Sequence, residues 1–118
     1  MQVERFKGVI WAADVGRTVE FYQSVFDATV VRDIGVIVEV EIAGVALAIH
    51  SGGEGNLDRR TWTGMSFQVA DVVEGATEVR AAGGVVDRDP QSEDGEPPHL
   101  AMCVDPAGNE FMLTRKRS

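Results

Sequence analysis

The stretch AADVGRTVEFYQSVFDATVVRD, Ala12 to Asp33, and the stretch VADVVEGATEVRAAGGVVDRD, Val69 to Asp89, carry the same pattern. Set one beneath the other, they place Asp14 on Asp71, an offset of 57 in a chain of 118 residues. Each aspartate follows a segment rich in β-branched and aromatic residues, Phe6 to Ala13 and Met65 to Ala70, which reads as a strand. Each sits where a helix N-cap belongs, with a short carboxylate able to accept from a free amide of the first turn. Beyond the aspartates, Val15, Val19, Tyr22 and Phe26 recur at helical spacing, as do Val72, Ala76, Val79 and Ala82. Gly83-Gly84 stops the second helix.

Outward from these helices, three strand candidates follow each one. They are Ala28–Arg32, Val36–Ile42 and Val45–His50 in the first half, and Val85–Asp89, His99–Val104 and Glu110–Thr114 in the second. The order βαβββ therefore occurs twice. A single α+β domain is expected, with module 1 over about residues 1–52, a linker over 53–61 and module 2 over 62–118. The glycine-rich SGGEGNLDRRTW and the acidic DPQSEDGEPP read as surface loops.

Composition narrows the function classes. Nineteen acidic against eleven basic residues give a net charge of −8, which disfavours binding to nucleic acid or an anionic membrane surface. Cys103 is the only cysteine, so neither an intrachain disulfide nor a thiolate zinc site is available. The N-terminus has no basic segment followed by an apolar run, and no stretch is long enough to span a bilayer, so the cytoplasm is the expected compartment.

Two βαβββ modules, each with an Asp-started helix, together with EFYQSVF (Glu20 to Phe26) and VDPAGNEFML (Val104 to Leu113), resemble the glyoxalase/bleomycin-resistance/extradiol-dioxygenase superfamily, the vicinal oxygen chelate proteins. The resemblance covers nearly the whole chain. It implies curved mixed sheets with helices on the convex side, enclosing a concave cavity. It also implies a divalent metal held by four side chains, usually His, Gln or Glu, on the first and fourth strands of each module. Such an ion acts as a Lewis acid on adjacent substrate oxygens.

Carried onto this sequence, the four ligand positions fall at Lys7, about Leu47 (or Ala46 or Ala48), Gly64 and Met112. A protonated lysine has no lone pair, and the aliphatic and glycine positions have no donor. No metal or other cofactor is expected. His50 and His99, the only histidines, read as flanking loops, and Cys103 reads as core.

Alternation along the strands assigns the concave face even without ligands. It should carry Lys7, Val9 and Trp11 from the first strand, Trp62, Gly64, Ser66 and Gln68 from the fifth, and Glu110, Met112 and Thr114 from the last. Glu39 and Glu41 of the third strand lie opposite the apolar set Val36, Val38, Val40 and Ile42. Glu39 thus faces the cavity or the solvent, and Lys7 is a rim charge or the partner of a glutamate. The candidate ligand-binding residues are Lys7, Val9, Trp11, Glu39, Leu47, Trp62, Gly64, Ser66, Gln68, Glu110 and Met112. Two tryptophans, a methionine and carboxylates suit a flat, cationic or amine-bearing aromatic compound. The antibiotic-binding members of the family, usually homodimers, imply sequestration of such a small molecule without chemical change. The alternatives are a glyoxalase-like lyase or isomerase with a non-standard site using Lys7 and Glu110, and a partner-binding domain with an empty cleft.

Overall fold

The computed structural model describes residues 1–92 and 95–117, so Glu93 and Asp94 of the acidic loop and the terminal Ser118 lie outside the described residues. The elements run β1 (Gly8–Ala12), α1 (Val15–Phe26), β2 (Thr29–Asp33), β3 (Ile37–Ile42), β4 (Val45–Ser51), β5 (Thr61–Gln68), α2 (Val72–Ala81), β6 (Val85–Val86), β7 (Leu100–Val104) and β8 (Asn109–Thr114). They form two four-stranded mixed sheets of the same topology, ordered β1-β4-β3-β2 and β5-β8-β7-β6. In each, the first strand runs parallel to the fourth and the remaining pairings are antiparallel.

The aspartates that revealed the repeat cap both helices. Asp14 accepts from the amide of Arg17, and Asp71 from the amides of Val73 and Glu74. The α1 helix ends at Asp27 in the left-handed conformation, and its amide bonds back to the Tyr22 carbonyl.

One apolar core spans both modules. Ile10, Val38, Val40, Leu47 and Ile49 from the first sheet, and Ala101, Cys103, Phe111 and Leu113 from the second, all pack toward the helices. Phe21, Tyr22 and Phe26 of α1 reach across to Phe67 and Phe111 of the second sheet, with Phe26 stacked on Phe67 at 4.0 Å between ring centroids. The helices therefore line the inner side of both sheets, and the opposite face of each sheet looks outward.

Polar bonds tie the modules at the DPAGN turn. The Tyr22 hydroxyl donates to Asp105 Oδ2 at 2.7 Å, and Asn109 Nδ2 donates to the Trp11 carbonyl at 3.0 Å. Asp105 is fully buried and also accepts from the amides of Ala107 and Asn109 and from Asn109 Nδ2.

The fifth strand runs from Thr61, so it takes in Trp62 and Gly64 as well as the Met65–Gln68 segment, and its ladder to β8 contains a bulge. Trp62 pairs with Glu110 and Ser66 with Met112, so four positions on β5 oppose two on β8. Gly64 lies inside the bulge at φ 76°, a conformation that favours glycine, while the Thr63 hydroxyl bridges to the Glu110 carbonyl and the Met65 amide. Conversely, β6 is only two residues long, where the sequence predicts a strand to Asp89.

Candidate functional site

The outward face of the first sheet is built row by row from its register. In one row Arg32, Glu39, Ala48 and Val9 lie side by side, and in the next Ile37, His50 and Trp11. Lys7 precedes β1 and extends the same face. Trp11 is 51% exposed and Val9 48%, so this face is open to solvent in the single chain. The Trp11 ring leans on the His50 imidazole at 4.4 Å between centroids, and His50 Nδ1 lies 2.5 Å from the Ser51 carbonyl. His50 is thus half-buried and held by its neighbours.

Glu39 departs most from its surroundings. It is only 5% exposed, in the middle of the face, while Glu41 two residues on is exposed. Arg5 Nη2 lies 2.7 Å and Lys7 Nζ 3.9 Å from the same carboxylate oxygen, Oε1. That oxygen nevertheless accepts no well-directed hydrogen bond, so the pairing is charge against charge. Lys7 does meet a glutamate, on its own sheet. Arg5, which the alternation argument passes over because it precedes the strand, is the nearer cation.

Leu47 requires correction. It pairs with Gly8 and Val40 and is buried toward α1, so it belongs to the core face, and Ala46 and Ala48 occupy the outward positions of β4. The tight turn at Ala43-Gly44, both at positive φ, fixes that register. Val36 likewise lies before β3 and is exposed, unlike Val38 and Val40.

The second sheet's outward face carries Trp62, Gly64, Ser66 and Gln68 of β5 beside Glu110, Met112 and Thr114 of β8, in the expected parity. Leu100 and Met102 of β7, facing Thr114 and Met112 across the ladder, add apolar surface that the sequence reading did not assign. Trp62 is 48% exposed, and Ser66 Oγ meets Thr114 Oγ1 at 3.3 Å. Cys103 points the other way into the core, where burial pushes its thiol up to about 12 and favours the protonated form.

The candidate residues thus separate into two groups on two sheets. A groove of about 770 Å³ opens at the junction of the modules, lined by Phe6, Phe26, Val45, Leu47, Met65 and Phe67 among others. Ser66 and Gln68 reach it, whereas Lys7, Val9, Trp11, Glu39, Trp62, Glu110 and Met112 are not part of its lining.

The donors present do not fit a divalent metal. The positions onto which the resemblance carries the ligands offer a lysine, an alanine or leucine side chain, a bare glycine and a thioether, whereas such divalent ions take carboxylate or carbonyl oxygen or imidazole nitrogen. Among the described residues, no group of three or more His, Cys, Asp and Glu is arranged to hold an ion. No helix among them is long and apolar enough to cross a membrane.

With this geometry in hand, the chain can be set beside known proteins. A family model described as a glyoxalase-like domain matches residues 8–114. Curated proteins give no significant match. Among solved structures, the FosX fosfomycin resistance protein of Listeria monocytogenes superposes with a TM-score of 0.79 at 22% identity, covering 99% of this chain and 96% of that one. FosX of Mesorhizobium loti gives 0.74 at 21%, covering 98% and 95%. The hypothetical protein SA1046 of S. aureus gives 0.76 at 16%, covering 98% and 96%. The Listeria protein has also been crystallised with Mn(II) and sulfate. At these identities the likeness concerns the fold alone.

Proposed function

From a chain that belongs to the glyoxalase-like domain family, we infer a protein that binds a small molecule with a flat apolar body and an amine, such as an antibiotic, without a metal and without altering it. The observation that carries this reading is the outward face of the second sheet. There a half-exposed Trp62 lies next to Glu110 of β8, with Met112, Met102 and Leu100 further along the same face and no donor at the position where the resemblance places a metal carboxylate. Such a surface offers stacking and apolar contact for the flat body of the ligand, with Glu110 as a charge at its rim. Protection by such a protein follows mass action, so it scales with affinity and abundance.

The same reading takes the binding unit as a homodimer of one two-module domain. In a single chain both outward faces are open, and β1 and β5 each have a strand neighbour on one side only. A second copy related by a two-fold axis brings the first sheet of one chain over the second sheet of the other and forms two equal clefts. Each cleft would then join Val9, Trp11 and Glu39 to Trp62, Ser66, Gln68 and Met112.

Two measurements test this reading. Tryptophan quenching and melting shifts against a panel of cationic aromatic antibiotics, with fosfomycin as the anionic comparator, should single out cationic compounds, and compound recovered from the complex should be unchanged. Protein purified without chelator should hold far less than one equivalent of divalent metal. A tightly held equivalent, or conversion of a bound compound, overturns the proposal.

A further inference from the structure

We propose that Glu39 is the group that recognises the ligand's cation, and that Arg5 occupies its place in the free protein as an intramolecular substitute. The inference rests on the small-molecule reading above and assigns the charged end of the ligand to one carboxylate.

A nearly buried carboxylate at the centre of a face is stabilised by a counter-charge, because burial strips it of water. The chain supplies one from outside the sheet. Arg5 and Lys7 lie in the irregular segment before β1, and their side chains are 56% and 41% exposed against 7% for the Glu39 side chain. Neither cation makes a directed hydrogen bond to Oε1. A half-exposed side chain on an irregular segment holds such a pair weakly. A ligand guanidinium, amidinium or ammonium can therefore take over the position at little electrostatic cost.

The residues around Glu39 favour that exchange. Ala48, its β4 neighbour, has only a methyl group, and Val9 beyond it is apolar and half-exposed, so the floor beside the carboxylate is low. Trp11 follows Val9 on the same face of β1 and offers an exposed indole for an aromatic ring attached to the cation. The arrangement selects an aromatic amidine or amine over a neutral amide or an anion.

Benzamidine serves as the probe, with benzamide as its neutral counterpart, in a Trp62→Phe background so that Trp11 alone reports by fluorescence. Arg5→Ala should tighten benzamidine by about two- to fivefold, the worth of one surface ion pair no longer competing. Glu39→Gln, introduced into the Arg5→Ala protein, should weaken it by about tenfold, as expected for losing a charge-assisted contact. Benzamide should be unaffected by either change. Equal benzamidine affinity with and without Arg5, or with Glu39 and Gln at position 39, overturns the assignment. Arg5→Ala leaves Lys7 at 3.9 Å as the remaining counter-charge to Glu39, and Arg5→Lys, which keeps a charge there, gives the same comparison with Glu39 still paired, so the two Arg5 variants decide even where Glu39→Gln unfolds. If antibiotics quench the wild type while benzamidine ignores both changes, the binding reading stands and only the role of Glu39 falls.

Discussion

Replacing Tyr22 by Phe tests what joins the two modules. The Tyr22 hydroxyl donates to Asp105 Oδ2 at 2.7 Å, both residues are fully buried, and the bond links α1 of the first module to the β7–β8 turn of the second. Phe keeps the ring contacts with Phe21, Phe26, Phe67 and Phe111 and removes only the donor. A buried hydrogen bond to a charged acceptor is worth about 1.5–3 kcal/mol, and Asn109 Nδ2 remains on Oδ2 at 3.0 Å, so a loss of about 2 kcal/mol is expected at neutral pH. For a chain of this length that lowers Tm by roughly 8 °C.

The pH dependence sharpens the test. Burial pushes the Asp105 carboxyl above the ordinary carboxylate range, partly offset by its hydrogen bonds from Tyr22, Asn109 and Ala107. A carboxyl raised on folding binds more protons in the native than in the unfolded state. Its contribution is therefore fully favourable below the unfolded value and is lost as pH rises through the folded one. Removing the Tyr22 hydroxyl removes an interaction that lowers the Asp105 pKa, so it should raise that pKa further and widen the window. The Tyr22→Phe penalty should then be largest at pH 7 and shrink toward pH 4, read by urea unfolding followed by circular dichroism at each pH. A penalty below about 0.5 kcal/mol at pH 7, within the range of ordinary surface substitutions, or one that grows on acidification, would refute this account.

Three further outcomes follow from the same packing. Asp71→Ala removes the acceptor for the amides of Val73 and Glu74 and should cost about 1 kcal/mol in urea unfolding. Gly108→Ala forces a Cβ to within 2.3 Å of the Asn56 carbonyl at φ 83° and should destabilise by about 2 kcal/mol or more, whereas Gly95→Ala, with φ 73° and open space around it, should cost only its backbone strain, about 1 kcal/mol. Because burial holds the Cys103 thiol up to about 12, it should stay unmodified by a thiol-reactive disulfide at pH 8 in the native state and react at once in denaturant.

The fold was legible because its signals are periodic and repeated. Two N-cap aspartates, two helical stripes and alternating strands each recur, and every one of them is a local preference that the final packing also satisfies. The core face of β5 and β8 followed from parity alone, since Phe67, Phe111 and Leu113 are apolar and Ser66, Gln68 and Thr114 are not. The bulge at Gly64 is invisible in the sequence because Trp62 and Ser66 keep the same parity across it, and the expectation at Leu47, open by one residue to Ala46 or Ala48, could not be narrowed because a one-residue slip on β4 reverses its face. In that strand, VALAIH alternates large with small residues, and the large pair Leu47 and Ile49 marks the buried side turned toward the helices, with Val45 exposed at the strand's start.

The polar centre of each face was harder to read for a different reason. Burial of Glu39 depends on Arg5 folding back from outside the strand, and burial of Asp105 depends on Tyr22 arriving from 83 residues away. Neither pairing has a periodic signature. The turn aspartate in VDPAGNEFML accordingly reads in sequence as a turn former, and in three dimensions it also holds the modules together. Glu110, the acid that follows that turn, stays half-buried beside Trp62. Met112, onto which the resemblance carries a metal-binding carboxylate, sits between Ser66 and Met102. A thioether there contributes polarisable apolar contact and no charge. On this scaffold charge recognition is therefore assigned to Glu39 on the first sheet rather than to the second sheet's last strand.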